Sequence, residues 1–231
     1  MSIFGIVLGM LPALVWLVFY LQEDIHPEPK RLLIKTFIFG GLFAFIALAA
    51  QLFLDCSLVR NFSGCFAGDR EFILIPSMIV IFALVEELFK FLAAYFAIHK
   101  SSAFNEPVDA MIYAVVASLG FATVENLGAI GEPGYSGFIT DPLEIISLRF
   151  IGATLLHTLA SALVGYYWAV GIRNLQPWKY ITAGLILATA LHTAFNYLIL
   201  EYGRMMLPVL LLMIAGFFIL SDFEKLKNKR V

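Results

Sequence analysis

Long uninterrupted runs of apolar residues dominate the chain. Each run approaches or exceeds the ~20 residues that a helix needs to cross a bilayer core of ~30 Å. The runs lie at about 2–21, 32–54, 73–98, 108–130, 143–172, 180–200 and 205–221. They are continuous rather than alternating, which favours helices over the strands of a membrane barrel. The pattern therefore predicts an all-α, polytopic membrane helix bundle with about seven transmembrane helices, forming one domain over residues 1–231.

Composition supports this interpretation and excludes other classes of protein. Hydrophobic residues make up 61% of the chain and charged residues 14%, against ~25% charged in ordinary soluble domains. So apolar a chain is neither disordered nor able to hide its surface in a soluble fold. The net charge of -2 gives no overall basic character that would suggest a nucleic-acid partner. The lipid bilayer is the partner that the composition predicts.

The distribution of Lys and Arg between the loops predicts the orientation of the helices. With the N-terminus outside, ten basic residues fall in cytoplasmic segments and four fall outside. The cytoplasmic set is Lys30, Arg31, Lys35, Lys100, Arg173, Lys179, Lys225, Lys227, Lys229 and Arg230; the outside set is Arg60, Arg70, Arg149 and Arg204. We therefore predict an outside N-terminus, a cytoplasmic C-terminus and a multi-pass protein of the cytoplasmic (inner) cell membrane.

Two features of the outer side complete the predicted topology. The first residues carry no positive charge and no cleavage signal follows them, so we expect the first helix to be retained rather than removed as a signal peptide. Cys56 and Cys65, the two cysteines of the chain, both fall in the outside loop between the second and third runs. That compartment permits a disulfide between them, and two free thiols are the alternative.

Several ionisable and amide side chains interrupt the apolar runs. Such groups face the bundle interior or a wet cavity and satisfy one another. They are Glu86, Glu87 and Lys90 in the third run, Glu125 and Asn126 in the fourth, His157 in the fifth, and His192 and Asn196 in the sixth. Counted from the cytoplasmic ends at ~1.5 Å per residue, the Glu and His positions on the four helices lie roughly 20–27 Å deep. We therefore predict one polar site in the outer half of the bilayer.

Helical spacing indicates how these groups assist one another. Glu86 and Lys90 share a face at i,i+4, whereas Glu87 is turned about 100° away. The lysine can neutralise one of the two carboxylates and leave the other reactive. His192 and Asn196 are also i,i+4, so the amide can orient the imidazole or bind a substrate carbonyl.

Other polar or aromatic positions near the site have simpler interpretations. Phe121 shares a face with Glu125 and can wall that carboxylate. A lone buried His157 often only bonds a neighbouring helix. Asp109, just after Pro107, is typical of a helix-start cap. Arg149 is interpreted as structural or interfacial.

Two histidines and several glutamates on facing helices suit two ways of activating water. Glu86, Glu125, His157 and His192 can hold one divalent metal, commonly Zn, with a water in an open position. Alternatively, a glutamate acts as a general base without a metal, and His and Asn stabilise an oxyanion. Both predict hydrolysis, although the HExxH and GxSxG motifs are absent.

Two other classes of function remain open at this point. The same Glu and His groups could form a proton or cation path in a transporter or channel, although the chain shows no internal repeat and no matching pair of broken half-helices. A non-catalytic scaffold that binds other transmembrane helices is the second alternative.

Four of these motifs together resemble a known family. EELFK (Glu86 to Lys90), FATVEN (Phe121 to Asn126), the isolated His157 and HTAFN (His192 to Asn196) resemble the pattern of PrsW-type intramembrane proteases, a branch similar to the wider CAAX-protease and bacteriocin-processing superfamily. HPEPKRLL at 26–33 and the segment from Phe104 to Asn126 also look like PrsW segments. The wider superfamily typically has His where this chain has Glu125, and often Arg one residue beyond Lys90. These differences fit the PrsW branch, so the resemblance does not extend to the prenylated substrates of the wider superfamily.

The resemblance implies an intramembrane endopeptidase. It makes Glu86 the favoured water-activating base with Glu87 beside it, His157 and His192 catalytic or metal-ligating, and Asn196 a support for the oxyanion. The substrate it implies is a single-pass membrane protein such as an anti-sigma factor, cut on the outer side at the start of a stress response. Metal dependence and oligomeric state are left open.

Overall fold

The computed structural model describes residues 2–22, 26–60, 76–131 and 141–227. Within these residues all regular structure is helical. The helices are α1 Ile3–Leu21, α2 Lys30–Asp55, α3 Pro76–Ile98, α4 Pro107–Gly131, α5 Pro142–Ile151, α6 Ala153–Arg173, α7 Pro177–Tyr202 and α8 Met206–Lys227, with a short π-helical turn, Cys56–Arg60, after α2. The all-α prediction is therefore confirmed for the described residues.

Local signals set several of the helix ends. Ser2 accepts a hydrogen bond from the Gly5 amide at the start of α1, and Asp141 accepts one from the Leu143 amide at the start of α5. Asp109 accepts bonds from the backbone amides of the two residues before Pro107, which makes it a cap of α4, as predicted.

Helix α4 forms the centre of the bundle. Of its most apolar 18-residue stretch, 89% is buried, whereas the corresponding figure for the Lys30–Leu58 helix is 17%. Helix α4 packs against α1, α2, α3 and α6, and α7 packs against both α3 and α6. The polar positions of α3, α4, α6 and α7 consequently face a shared interior.

Glycines let the neighbours of α4 approach its backbone closely. A Cβ atom at Gly40 on α2 would lie 1.9 Å from the Ala117 carbonyl oxygen, and one at Gly120 on α4 would lie 1.9 Å from the Phe37 oxygen. On the other side, a Cβ at Gly165 on α6 would lie 2.6 Å from the Ala110 oxygen. Small residues at crossings of this kind are typical of helix packing in membranes.

The predicted fifth helix is not continuous. The run at 143–172 is divided at Gly152, whose φ of -105° and ψ of -99° lie outside the helical region. The break separates the short helix α5 from α6, although residues 142–173 together still form one of the candidate membrane spans. Apolarity alone predicts one continuous helix here because it does not register the backbone angles of a single residue.

Six helical segments are long and apolar enough to cross a membrane: 3–21, 30–58, 107–131, 142–173, 177–202 and 206–226. The chain is therefore a multi-pass membrane protein. The remaining predicted span corresponds to α3, which has 23 residues. Its apolar sequence is interrupted by Glu86, Glu87 and Lys90. These three residues belong to the polar cluster inside the bundle.

Candidate active site

The polar residues of four separate helices meet in one cluster inside the bundle. Helix α3 supplies Glu86, Glu87 and Lys90, while α6 supplies His157 and α7 supplies His192. Glu125 of α4 joins them through His157. The sequence places these groups at a common depth, and the structure brings their side chains into contact.

Glu87 connects the most buried residues of the cluster. Its Oε1 accepts a hydrogen bond from the Lys90 Nζ at 2.6 Å and another from the His192 Nδ1 at 2.6 Å. The Glu87 and Lys90 side chains are both 0% exposed. Lys90 therefore neutralises Glu87 rather than Glu86, which settles the choice that helical spacing left open. Because a carboxylate only accepts, the His192 Nδ1 carries the proton and its Nε2 offers a lone pair.

Glu86 lies next to that lone pair. Its Oε2 is 3.6 Å from the His192 Nε2, longer than a direct hydrogen bond. Its Oε1 accepts a hydrogen bond from the Gln51 Nε2 on α2 at 2.9 Å. The Glu86 side chain is 15% exposed, so it is more accessible than Glu87. A water molecule can contact the Glu86 Oε2 and the His192 Nε2 at the same time.

His157 is engaged on both sides of its ring. Its Nε2 is 2.8 Å from the Glu125 Oε2, and its Nδ1 is 2.8 Å from the Lys90 Nζ. Since a lysine ammonium only donates, the His157 Nδ1 accepts from Lys90 and the Nε2 donates to Glu125. Arg149 of α5 donates to the same Glu125 oxygen at 3.1 Å.

The remaining predicted residues lie around this core. The Phe121 ring lies beside the His157 ring, with 5.9 Å between centroids, and below the Lys90 Nζ at 5.7 Å, so it walls these two residues. Asn126 is fully buried and accepts a hydrogen bond from the Arg149 Nε at 2.5 Å. Asn196 is half-buried on α7 and has no side-chain hydrogen bond to any described residue. Its amide does not orient His192, because Glu87 does.

The charges of the cluster are distributed unequally. Lys90 contacts Glu87 and Arg149 contacts Glu125. Among the described residues, Glu86 has no lysine or arginine within ion-pair distance, and its neighbours are Gln51 and His192. Glu86 is therefore the carboxylate of this cluster without a lysine or arginine partner among the described residues.

The cluster also contains a group of donors that suits a metal. One oxygen of Glu86 and one ring nitrogen each of His157 and His192 lie within 4.8 Å of one another. One carboxylate and two imidazoles are a common donor set of catalytic zinc. Each imidazole here also has one ring nitrogen against a carboxylate, Glu125 for His157 and Glu87 for His192, a contact that metal-ligating histidines usually make. The residues therefore fit a divalent metal. Glu125, also predicted as a ligand, lies outside this group.

Two residues that contact the cluster were not predicted to do so. Gln51 donates a hydrogen bond to Glu86. The sequence offers a sign of this role, because Gln51 is the one polar side chain in the run from Phe37 to Leu54. Arg149 was interpreted as structural or interfacial, but it contacts Glu125 and Asn126 of the cluster. The predicted disulfide stays a prediction, because Cys65 lies outside the described residues.

Comparison with known proteins agrees with this arrangement. A family model described as "PrsW family intramembrane metalloprotease" matches residues 28–221. The chain belongs to the PrsW family. Membership of the PrsW family makes it a membrane protease and hence a hydrolase, which confirms the resemblance found in the motifs.

Curated PrsW proteins match across most of their length. "Protease PrsW" of Geobacillus kaustophilus is 27% identical over 80% of this chain and 75% of its own. The Oceanobacillus iheyensis protein is 28% identical over 83% and 80%, and the Clostridioides difficile protein is 28% identical over 96% and 90%. No solved structure matches the chain significantly.

Proposed function

We propose that this PrsW family member is an intramembrane endopeptidase in which Glu86 activates the attacking water. The observation that carries the proposal is the position of Glu86, which has no cationic partner among the described residues and lies 3.6 Å from the His192 Nε2. A general base needs a free carboxylate within reach of a water and of the bond to be cut. Glu87 and Glu125 meet that need less well, because Lys90 and Arg149 occupy them.

The proposed reaction uses the chain's own groups as follows. A water donates one hydrogen bond to the Glu86 Oε2 and the other to the His192 Nε2, which leaves an oxygen lone pair for the substrate carbonyl. Glu86 takes the proton as the C–O bond forms, and the Asn196 amide stabilises the resulting oxyanion. Glu86 then gives the proton to the leaving amine. Glu87 keeps the His192 ring in the required tautomer.

A divalent metal is consistent with the same residues. Glu86, His157 and His192 would hold it, and when bound it would polarise the carbonyl and make the water more acidic. The structural task of Glu87 and Glu125 is the same in either case, since each orients the ring of a histidine.

The topology and substrate form a second part of the proposal. We infer seven spans, with α3 as the third, an outside N-terminus and a cytoplasmic C-terminus, because the basic residues concentrate in the segments this places in the cytoplasm. The site then lies in the outer half of the cytoplasmic membrane. A single-pass membrane protein similar to an anti-sigma factor would be cut on the outer side, at the start of a stress response.

The test compares membrane-protein termini in cells that express the wild type, Glu86→Gln or Glu144→Gln. Glu144 is an exposed carboxylate on α5 and serves as the matched control. We expect mass spectrometry to find fragments of single-pass proteins with the wild type and Glu144→Gln, and none with Glu86→Gln at equal expression and insertion. Fragments that persist undiminished with Glu86→Gln would contradict the role of Glu86.

A further inference from the structure

The Lys90 ammonium occupies one ring nitrogen of His157, a residue of the group that could hold a metal. Its Nζ is 2.6 Å from the Glu87 Oε1 and 2.8 Å from the His157 Nδ1, and it sits 5.7 Å above the Phe121 ring. The side chain is 0% exposed. Two acceptors and an aromatic face thus surround an ammonium that is fixed to the chain.

In the two histidines of the donor group, the ring nitrogen that carries the lone pair has different neighbours. On His192, Glu87 occupies Nδ1 and leaves the Nε2 lone pair facing Glu86. On His157, Glu125 occupies Nε2, and the remaining lone pair on Nδ1 accepts from Lys90. An imidazole nitrogen has a single lone pair, so the His157 Nδ1 cannot bond a metal and Lys90 together.

We propose that Lys90 is a built-in competitor for the metal position, so that metal binding by His157 requires the lysine ammonium to leave the His157 Nδ1. The inference rests on Glu86, His157 and His192 as the ligand set, and it does not depend on the substrate or on Glu86 as the base. Electrostatic repulsion acts in the same direction, because the ammonium and a divalent cation carry like charge within a buried site.

This competition has a direct consequence for affinity. Removal of the lysine charge frees the His157 lone pair and eliminates the repulsion. A charge about 4–6 Å away typically changes the proton affinity of a group by about 10- to 1,000-fold, and we expect an effect of at least the lower size on a divalent cation. Lys90→Met, which keeps the length and apolar stem of the side chain, should therefore bind Zn²⁺ or Co²⁺ at least about tenfold more tightly than the wild type.

The experiment measures metal binding on the purified full-length protein in detergent. Co²⁺ titration followed by ligand-field absorbance gives affinity and coordination, and elemental analysis after Zn²⁺ equilibration gives stoichiometry. Lys35→Met is the matched control, because Lys35 is an exposed residue of α2 that donates to the Ala97 carbonyl at a distance from the cluster. We expect Lys90→Met to gain affinity and Lys35→Met to equal the wild type.

Two further variants keep the test decisive. Glu87→Gln/Lys90→Met removes both charges of the buried pair, so that neither is left uncompensated if the single variant folds poorly; it should also bind metal more tightly than Glu87→Gln alone. His157→Gln/Lys90→Met should gain less over His157→Gln than Lys90→Met gains over the wild type, because only the electrostatic part of the effect remains without the His157 lone pair. Equal or weaker metal binding by both Lys90→Met and the Glu87→Gln/Lys90→Met variant, or an equal gain with and without His157, would overturn the proposal.

Discussion

The two histidines of the site each pair with a glutamate, but the two pairs differ in depth and in partners. Glu87 bonds the Nδ1 of His192, whereas Glu125 bonds the Nε2 of His157. The Glu87 side chain is 0% exposed and the Glu125 side chain is 24% exposed. The free ring nitrogen of the buried pair thus faces Glu86, and the free ring nitrogen of the more accessible pair faces Lys90.

This difference indicates a division of labour between the pairs. The glutamate binds Nδ1 in one histidine and Nε2 in the other, so the two histidines present their remaining lone pairs to different neighbours. In the proposed mechanism, the Glu87 pair supports the groups that bind and deprotonate the water. The Glu125 pair, together with Arg149, supports the wall of the site that lies nearer to α5.

The largest effect is expected at the histidine that faces Glu86. His192→Ala should lower the rate of fragment production by about 10²- to 10⁴-fold, the usual contribution of a positioned proton-handling group. His157→Ala should lower it less in a metal-free preparation, because both ring nitrogens of His157 are engaged by Lys90 and Glu125. His99→Ala, at the end of α3 and bonded to the Tyr95 carbonyl, is the control. A greater loss with His157→Ala would reverse the assigned roles.

The buried pair should matter most for stability. Glu87→Leu leaves Lys90 buried without its carboxylate, and breaking such a pair costs about 3–5 kcal/mol of unfolding free energy. Glu125→Leu should cost less, because Glu125 and Arg149 are partly exposed. Thermal unfolding in detergent compares the two. Glu87→Leu/Lys90→Leu should recover most of the loss, and a double variant no more stable than Glu87→Leu would contradict this explanation.

The contact between Arg149 and Glu125 should have an intermediate effect. Arg149→Gln removes a charged hydrogen bond, typically about 1.5–3 kcal/mol, so we expect cleavage to fall at least about tenfold through poorer positioning of Glu125 and His157. Arg149→Lys should restore part of the rate, since it keeps the charge and loses the two-point contact with Glu125 and Asn126. Equal rates for both variants would show that the charge is not what positions Glu125.

The smallest effect is expected at Gln51. Gln51→Leu removes one hydrogen bond from an uncharged amide to the Glu86 carboxylate. Bonds to charged groups are worth about 1.5–3 kcal/mol, and the lower end of that range corresponds to a roughly tenfold slower reaction. Gln176→Leu, an exposed glutamine at the start of α7, provides the matched comparison. A rate equal to that of the wild type would mean that Glu86 needs no positioning from α2.

The sequence predicted the helices well, because apolar runs and end signals act locally. The run at 108–130 became Pro107–Gly131, and the run at 32–54 became Lys30–Asp55. The division at Gly152 was missed because one residue with unusual backbone angles leaves no trace in average hydropathy. Local information was sufficient to locate the helices, but it was insufficient to locate a break within one apolar run.

The site was predicted as a set of residues but not as a set of contacts. Charged groups in apolar runs must find partners, which identified Glu86, Glu125, His157 and His192. Periodicity shows which residues share a face of one helix, but it does not show how each helix is rotated about its axis relative to its neighbours. The pairing of Glu87 with His192 and the contact of Arg149 with Glu125 depend on those rotations, so only the structure could give them.

The charged face of α3 has a consequence for how the protein is made. His157 follows Lys90 by 67 residues, and His192 follows Glu87 by 105. When α3 leaves the ribosome, the helices that complete its site have not yet been synthesised, and each charge at mid-membrane costs at least about 2.5–3.5 kcal/mol to insert. Glu87 and Lys90 can pair with each other at once, and Glu86 can bond Gln51 of α2, whereas the contacts with His157 and His192 must wait. Nascent chains that stop before α7 should therefore hold α3 loosely in the bilayer and be preferred targets of membrane quality control.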